Sequence, residues 1–343
     1  MVIKSFITTL LFAAIFLPAT GQQTPISYED LQQYYATITQ AELNITESKI
    51  YDAINDYRSA SKIKPLSFTD RLNLIQCFLD SERMNEAVGT VIQMSKDGYR
   101  MQFLYDKKYE DLINDENWIY FVAHEYTSPP ISLYTKNIVH MMDNVRQYYE
   151  IISPERKLVY MSLITESLKS LISKEGFPSE VILEYGSREN TKTQFNNMVQ
   201  LCIQEDGFNY DSLLYEELLK GHVEPENLLQ FFNYGEDQNC GCISYQNTIF
   251  LMLGDSLYSC SEKQEDIANE NRKRLFLPTI AESKKFISFQ LTNVKYNLRG
   301  AVNGAIEMEF PDQEKRAAYL DKNSARIQLV RVRKPNEIFQ FTD

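Results

Sequence analysis

The chain has 343 residues, 43% hydrophobic and 24% charged, an ordinary globular composition that excludes a wholly disordered polypeptide. Twelve glycines and 11 prolines exclude a collagen-like or proline-rich linker protein. The net charge of −12 would repel nucleic acid unless a basic face overcame it, and no basic run with interleaved aromatics occurs.

Residues 1–21 have the form of a secretory signal peptide. Lys4 supplies the positive start, Phe6 to Leu17 is a nearly unbroken apolar run, and Pro18 breaks it. Ala19-Thr20-Gly21 places small residues where a signal peptidase needs them, so cleavage is expected after Gly21. The run is too short to span a bilayer comfortably, and no later stretch approaches 18 apolar residues. The chain is therefore expected to be exported, periplasmic or extracellular, without membrane insertion once the signal is removed.

An internal repeat follows at residues 41–99. Ala53, Tyr57, Ala60 and Pro65 shift by 34 residues onto Ala87, Val91, Met94 and Tyr99, and the same shift takes Asn44 to Phe78. A small residue lets two antiparallel helices approach, and a larger one a turn later fills the groove between them. Pro65 is expected to end its helix. This period and pattern resemble the tetratricopeptide repeat (TPR) family, whose 34-residue unit is a helical hairpin. The resemblance covers two units and implies a docking surface for protein or peptide partners, in which Tyr57, Val91 and Trp118 are the candidate binding residues. Phe103, Tyr109, Leu112 and Trp118 then suggest brief helices that close the stack, with Trp118 as the plug over its last apolar face.

Tyr126 to Pro130 breaks any helix and divides a unit at 22–126 from one at 131–343. In the second unit, Met141, Met142, Val145, Tyr148 and Tyr149 favour a helix. Leu158, Met161, Ile164, Leu168 and Ile172 form a helical stripe, stopped by Gly176-Phe177-Pro178. Phe195, Met198, Val199 and Cys202 form another; Leu213, Leu214 and Leu218 form a third that Gly221 terminates. Pro225 opens a further helix through Phe232. Thr248–Leu253, Gly254-Asp255 and Ser256–Cys260 predict a β-hairpin. Helix returns over 267–274 until Leu277-Pro278 stops it, and again over 314–319. Lys284 to Tyr296 is ambiguous, and Ile327–Val332 suits either an edge strand or irregular chain. The predicted class is mainly α: helical hairpins followed by a mostly helical domain with one small β-hairpin. The order of Lys174-Glu175-Gly176-Phe177-Pro178-Ser179, Gln200, Leu218 to Val223, Tyr245 and Asn271 to Pro278 is similar to a bacterial domain family of unknown function found behind such repeats. That resemblance spans roughly residues 150–290 and implies an architecture but no reaction.

Chemistry-bearing motifs are few. There are three histidines, and no His-Glu-x-x-His, Gly-x-Ser-x-Gly, Walker or dinucleotide fingerprint, so no cofactor or metal is expected. His222 is the one acid–base candidate, because Glu216, Glu217 and Glu224 lie near it and can raise its pKa. A histidine just after a helix C-terminus also suits the helix dipole without any catalysis. Cys240, Cys242 and Cys260 are disulfide candidates, with a redox pair or a zinc site as further possibilities. Cys77 and Cys202 sit in apolar helical contexts and are expected to be buried thiols. The carboxylate pairs Glu216-Glu217, Asp111 with Asp115 and Glu307 with Glu309 are expected on solvated faces. The basic runs at 272–274 and 331–334 are expected to be solubilising surface. Two functions follow as expectations: an exported protein–protein interaction protein, or alternatively a hydrolase of envelope or extracellular polymers.

Overall fold

The computed structural model describes residues 26–126, 133–183, 191–206, 211–226, 228, 251–253, 256–260, 262–299, 306–307, 312–324 and 327–332. The signal peptide, most of the break at Tyr126–Pro130, Cys240 and Cys242 lie outside them. Within the described residues the chain is mainly helical with one small sheet.

Helix α1 (Tyr28–Thr46) begins at Ser27, whose hydroxyl accepts the Asp30 amide at 3.0 Å. It buries Leu31, Tyr34, Tyr35, Ile38, Ala41 and Ile45 along one face. Helix α2 (Ile50–Ala60) folds back on it, and α3 (Phe68–Asp80) with α4 (Met84–Lys96) repeats the hairpin. The two tight turns are equivalent. Ser48 and Glu82 both take the left-handed conformation, at φ 59° and 58°. Beyond them the Lys49 amide donates to the Asn44 carbonyl and the Arg83 amide to the Phe78 carbonyl, each at 2.8 Å. Ser48 and Glu82 stand 34 residues apart, so the register read from Asn44 and Phe78 is present in the backbone. Ala53 and Ala87 are fully buried at the helix contacts, as are Tyr57 and Val91 one turn on. Asn44, a polar residue where the pattern is apolar, donates its amide to Asp56 at 2.8 Å.

One expectation is corrected here. Pro65 does not end α2. The helix closes at Ala60, whose carbonyl accepts the Ile63 and Lys64 amides, and Pro65 lies exposed in the linker to α3.

Two 3₁₀ turns (Gln102–Tyr105 and Lys107–Tyr109) and the short helices α5 (Glu110–Ile113) and α6 (Glu116–His124) follow. Trp118 is buried there against Phe121, with ring centroids 5.6 Å apart. Next come α7 (Leu133–Tyr148), α8 (Pro154–Glu175), α9 (Thr191–Asp206) and α10 (Asp211–Leu219). Gly176 and Gly221 stand beyond α8 and α10 with φ of 84° and 74°, the terminating conformation that glycine adopts at least cost. Only 225–226 and 228 of the helix expected from Pro225 are described, and they are helical.

The predicted hairpin is present as β1 (Leu251–Leu253) and β2 (Ser256–Cys260), with Leu253 opposite Ser256. After α11 (Glu262–Arg274), α12 (Ile280–Gln290), β3 (Ile306–Glu307) and α13 (Gln313–Asn323), the residues left open at 327–332 form strand β4 (Ile327–Val332). The sheet order is β3-β1-β2-β4, with β3 parallel to β1 and β4 antiparallel to β2. Helix α12 ends at Gln290, which settles the ambiguous stretch: Asn293 onward is irregular. The two units read from the sequence share one hydrophobic core.

A side chain in the left-handed region costs about 1 kcal/mol that glycine avoids. Ser48→Gly and Glu82→Gly should each therefore raise the unfolding free energy by about 0.5–1 kcal/mol in urea titrations. Gly98→Ala, at φ 96° with Val181 Cγ1 only 3.2 Å from the added carbon, should lower it.

Candidate functional site

Polar side chains occupy the core register of α1 and α3. Glu42 is 0% exposed, and Asp70, Asn73 and Gln76 are 1–3% exposed. A buried polar group must find a partner or lose the free energy of its hydration. Here much of the partnering comes from the stretch after α12. Asn73 pairs with the main chain of Asn297 through two hydrogen bonds: its Nδ2 donates to the Asn297 carbonyl and its Oδ1 accepts the Asn297 amide, both at 2.9 Å. The Leu298 amide donates to the Gln290 side chain, and the Arg299 amide donates to Glu42 Oε1 at 2.9 Å. Tyr296 donates its hydroxyl to Asp80 at 2.8 Å. Residues 296–299 thus lie on the α1–α3 face as a bound peptide does, held through their backbone.

Arg299 is the centre of this contact. Its guanidinium, 4% exposed, donates through Nη2 to the Tyr35 carbonyl at 3.0 Å and to Thr39 Oγ1 at 2.7 Å. Its Nε lies 3.5 Å from Glu42 and 3.8 Å from Glu226. A second cation, Lys64, sits 2.7 Å from Glu224 and over the rings of Tyr34 and Tyr35. Tyr35 donates its hydroxyl to Glu224, and Tyr34 and Ser67 donate theirs to Asp70. Glu180, nearby, accepts the Phe68 amide at 2.7 Å and the Tyr99 hydroxyl at 3.0 Å. Among the described residues carboxylates outnumber cations here, and burial is the main force on Glu42, Asp70, Glu180 and Glu226. It pushes Glu42 up to about 8 even against the attraction of Arg299, and Glu226 and Glu180 up to about 7. Burial also opposes the charge of Arg299, but Glu42, Glu226 and Asp70 outweigh it and hold the guanidinium charged.

Two clefts flank this contact. The first, about 560 Å³, lies between α1 and the α11–α12 corner. Tyr35, Thr39, Phe276 and Leu277 line it together with Asp266, Glu270 and Lys273. Tyr35 and Thr39 therefore face the cleft and also hold Arg299. The second, about 500 Å³, is a groove among α2, α3 and α4, lined by Arg58, Arg71, Leu74, Phe78, Gly89, Thr90 and Gln93. A carbon added at Gly89 would meet nothing within 4 Å.

The residues singled out in the sequence lie elsewhere. Tyr57 and Val91 are 0% exposed and Trp118 is 7% exposed, so these side chains pack the interior and present no docking surface. The repeat pattern selects residues that fill gaps between helices, which is a core signature. His222 is exposed and lines neither cleft. Its Nδ1 lies 2.8 Å from Glu217, which also accepts Lys220 Nζ at 2.7 Å. Those two hydrogen bonds hold the Glu217 carboxyl below its ordinary range although burial opposes them. Cys260 closes β2; its side chain, like Cys240 and Cys242, lies outside the described residues. Cys77 and Cys202 are buried, and burial pushes the Cys77 thiol up to about 12. The basic run at 272–274 is not all surface: Arg272 is 2% exposed and donates to the Pro278 carbonyl and to Ser283. Among the described residues no group of three His, Cys, Asp or Glu is placed to hold a metal ion.

The sequence reading missed Glu42, Asp70, Asn73, Glu226 and Arg299. A signal existed for the first three: charged or amide residues on the apolar stripes of α1 and α3. None existed for Arg299. Comparison with family models, with curated proteins and with solved structures found no match.

Two tests follow from this geometry. Asn73→Ala strands the Asn297 amide and carbonyl and should cost about 2–3 kcal/mol in chemical denaturation. Arg299→Met leaves Glu42 and Glu226 without their cation and should cost about 3–5 kcal/mol at pH 8, less at pH 5 where the carboxyls are neutral.

Proposed function

We propose that this is an exported protein–protein interaction protein, built on TPR-like helical hairpins, that docks an extended segment of a partner in the groove among α2, α3 and α4. One observation carries the reading: Gly89, exposed mid-helix in α4, lines the groove and leaves open space beside it. Glycine inside a helix is unfavourable by about 1 kcal/mol relative to alanine, and it removes the side chain that would keep another backbone away. Leu74 and Phe78 give the groove an apolar base, and Arg58 and Arg71 give it a polar rim. The neighbouring face of the same hairpins supports the choice of occupant, because it already holds residues 296–299 by their main chain. The hydrolase alternative rests on His222, whose ring pairs with Glu217 outside both clefts.

The test is photo-crosslinking in the exporting cell. A crosslinker at Thr90 is expected to capture a defined partner, whereas one at the exposed Glu110 is not. Gly89→Leu should fold with unchanged or raised thermal stability and lose that partner. Equal capture by Gly89→Leu, or by the probe at Glu110, would overturn the groove as the docking site.

A further inference from the structure

Helix α8 is apolar on both faces. Its inner face packs the core through Met161, Ile164, Leu168 and Ile172. Its outer face leaves Val159 62% exposed, Leu163 63% and Leu158 56%. Ile151, in the turn ahead of the helix, is 74% exposed. Residues 133–183 are described without a break, so α8 and the preceding α7 are seen whole. A single exposed leucine is ordinary, but a row of apolar side chains on one outward face marks a contact surface.

The outer face also carries a pattern. With 3.6 residues per turn, Val159 and Leu163 lie on one side of the helix, with Arg156 a turn before them and Glu166 a turn after. All four are exposed. The face therefore runs cation, apolar, apolar, anion, and this order turned end for end is its own complement. Two antiparallel copies of α8, aligned at the level of Met161, bring Arg156 of each to Glu166 of the other and Val159 of each to Leu163 of the other. That is the self-matching that a two-fold contact requires. Other occupants fit less well. Neither of the two clefts is lined by α8, so this convex face gives an extended peptide no groove to enter. An anionic lipid surface would be repelled by Glu155 and Glu166, both exposed on it.

We propose that α8 is a self-association surface on which a second copy of this chain packs antiparallel, Val159 against Leu163, with Arg156 and Glu166 paired at both ends.

The apolar pair supplies the attraction by leaving water, and the charges set direction and register. Glu166 is already 2.7 Å from Lys169, but its side chain stays 67% exposed and open to a second cation. Ser162 and Ser167 flank the seam and are small enough to let the helix axes approach. From Arg156 to Glu166 the seam is about 15 Å long. A stable interface covers about 800 Å² per partner, and one helix seam covers less, so the dimer is weak and depends on concentration. The surface is independent of the groove at Gly89.

Sedimentation velocity on the full exported chain, from low micromolar to near-millimolar concentration, tests it. The wild type is expected to shift from monomer toward dimer across that range. Arg156→Glu alone sets two carboxylates together at both ends of the seam, and Glu166→Arg alone sets two guanidinium groups together. Each should weaken the dimer by about tenfold or more. An equimolar mixture of these two variants restores opposite charges at both ends and should recover wild-type association. Leu163→Asp should abolish association. The three positions are exposed, and glutamate and arginine are good helix formers, so the charge variants should keep the wild-type melting temperature. A wild type that stays monomeric throughout, single charge variants that associate as the wild type does, or a mixture no stronger than its components would each overturn the proposal. If a variant fails to fold, the concentration series of the wild type still decides.

Discussion

A buried guanidinium without a carboxylate is untenable, and so is a buried carboxylate without a cation or a proton. Arg299 and Glu42 resolve this for each other across 257 residues of sequence. The first hairpin places Glu42 where no water reaches it. The chain beyond α12 must then return to that point with an amide and a guanidinium correctly aimed. The hairpins and the C-terminal helices are therefore not two independent beads. Tyr35 meets Glu224, Phe68 meets Glu180, and Asn73 meets Asn297, so the joint is built from polar groups that need each other. Apolar contacts surround it: Phe276 stacks on Tyr35 with centroids 5.5 Å apart.

What could be read from the sequence was what short-range physics decides. The hairpin register, Gly221 at the end of α10 and the β1–β2 pair each depend on residues within a turn or two. Thr279 and Glu282 form a capping box that starts α12, a Thr-x-x-Glu signature carried by four consecutive residues. Glu42, Asp70 and Asn73 were legible in principle, since a polar side chain on an apolar stripe must have a buried partner. Which partner it has is a question of tertiary path. Arg299 sits in Asn297-Leu298-Arg299-Gly300, a string with no periodicity and no motif. Arg272 was obscured differently. Its two basic neighbours are exposed, and composition cannot show that the first of three adjacent cations turns inward.

The same distinction explains why the residues expected to bind do not reach solvent. A 34-residue repeat is recognised by its helix-to-helix contacts, and Tyr57 and Val91 mark those contacts. Residues that face outward from such a repeat are under no such constraint, so the pattern says little about them. Arg58 and Gln93 become a groove only when α2, α3 and α4 are assembled. Gly89 is the exception, because a glycine inside a helix is unfavourable by about 1 kcal/mol relative to alanine and so stands out in the sequence.

The hairpins and the joint differ in the kind of bond that maintains them. In α1 to α4 the backbone is satisfied within each helix, and the turns at Ser48 and Glu82 close it again. Solvent conditions that leave helices intact leave this platform intact. The Lys295, Asn297, Leu298 and Arg299 amides depend instead on side chains, one of which is Glu42, pushed up to about 8 by its burial. Tyr35 and Thr39 then extend the joint to the wall of the cleft beside α11 and α12. A group entering that cleft would touch the residues that secure Arg299. The part of the molecule held by helix hydrogen bonds thus ends at α1 and α3, and the part held by side-chain partners begins one side chain beyond them.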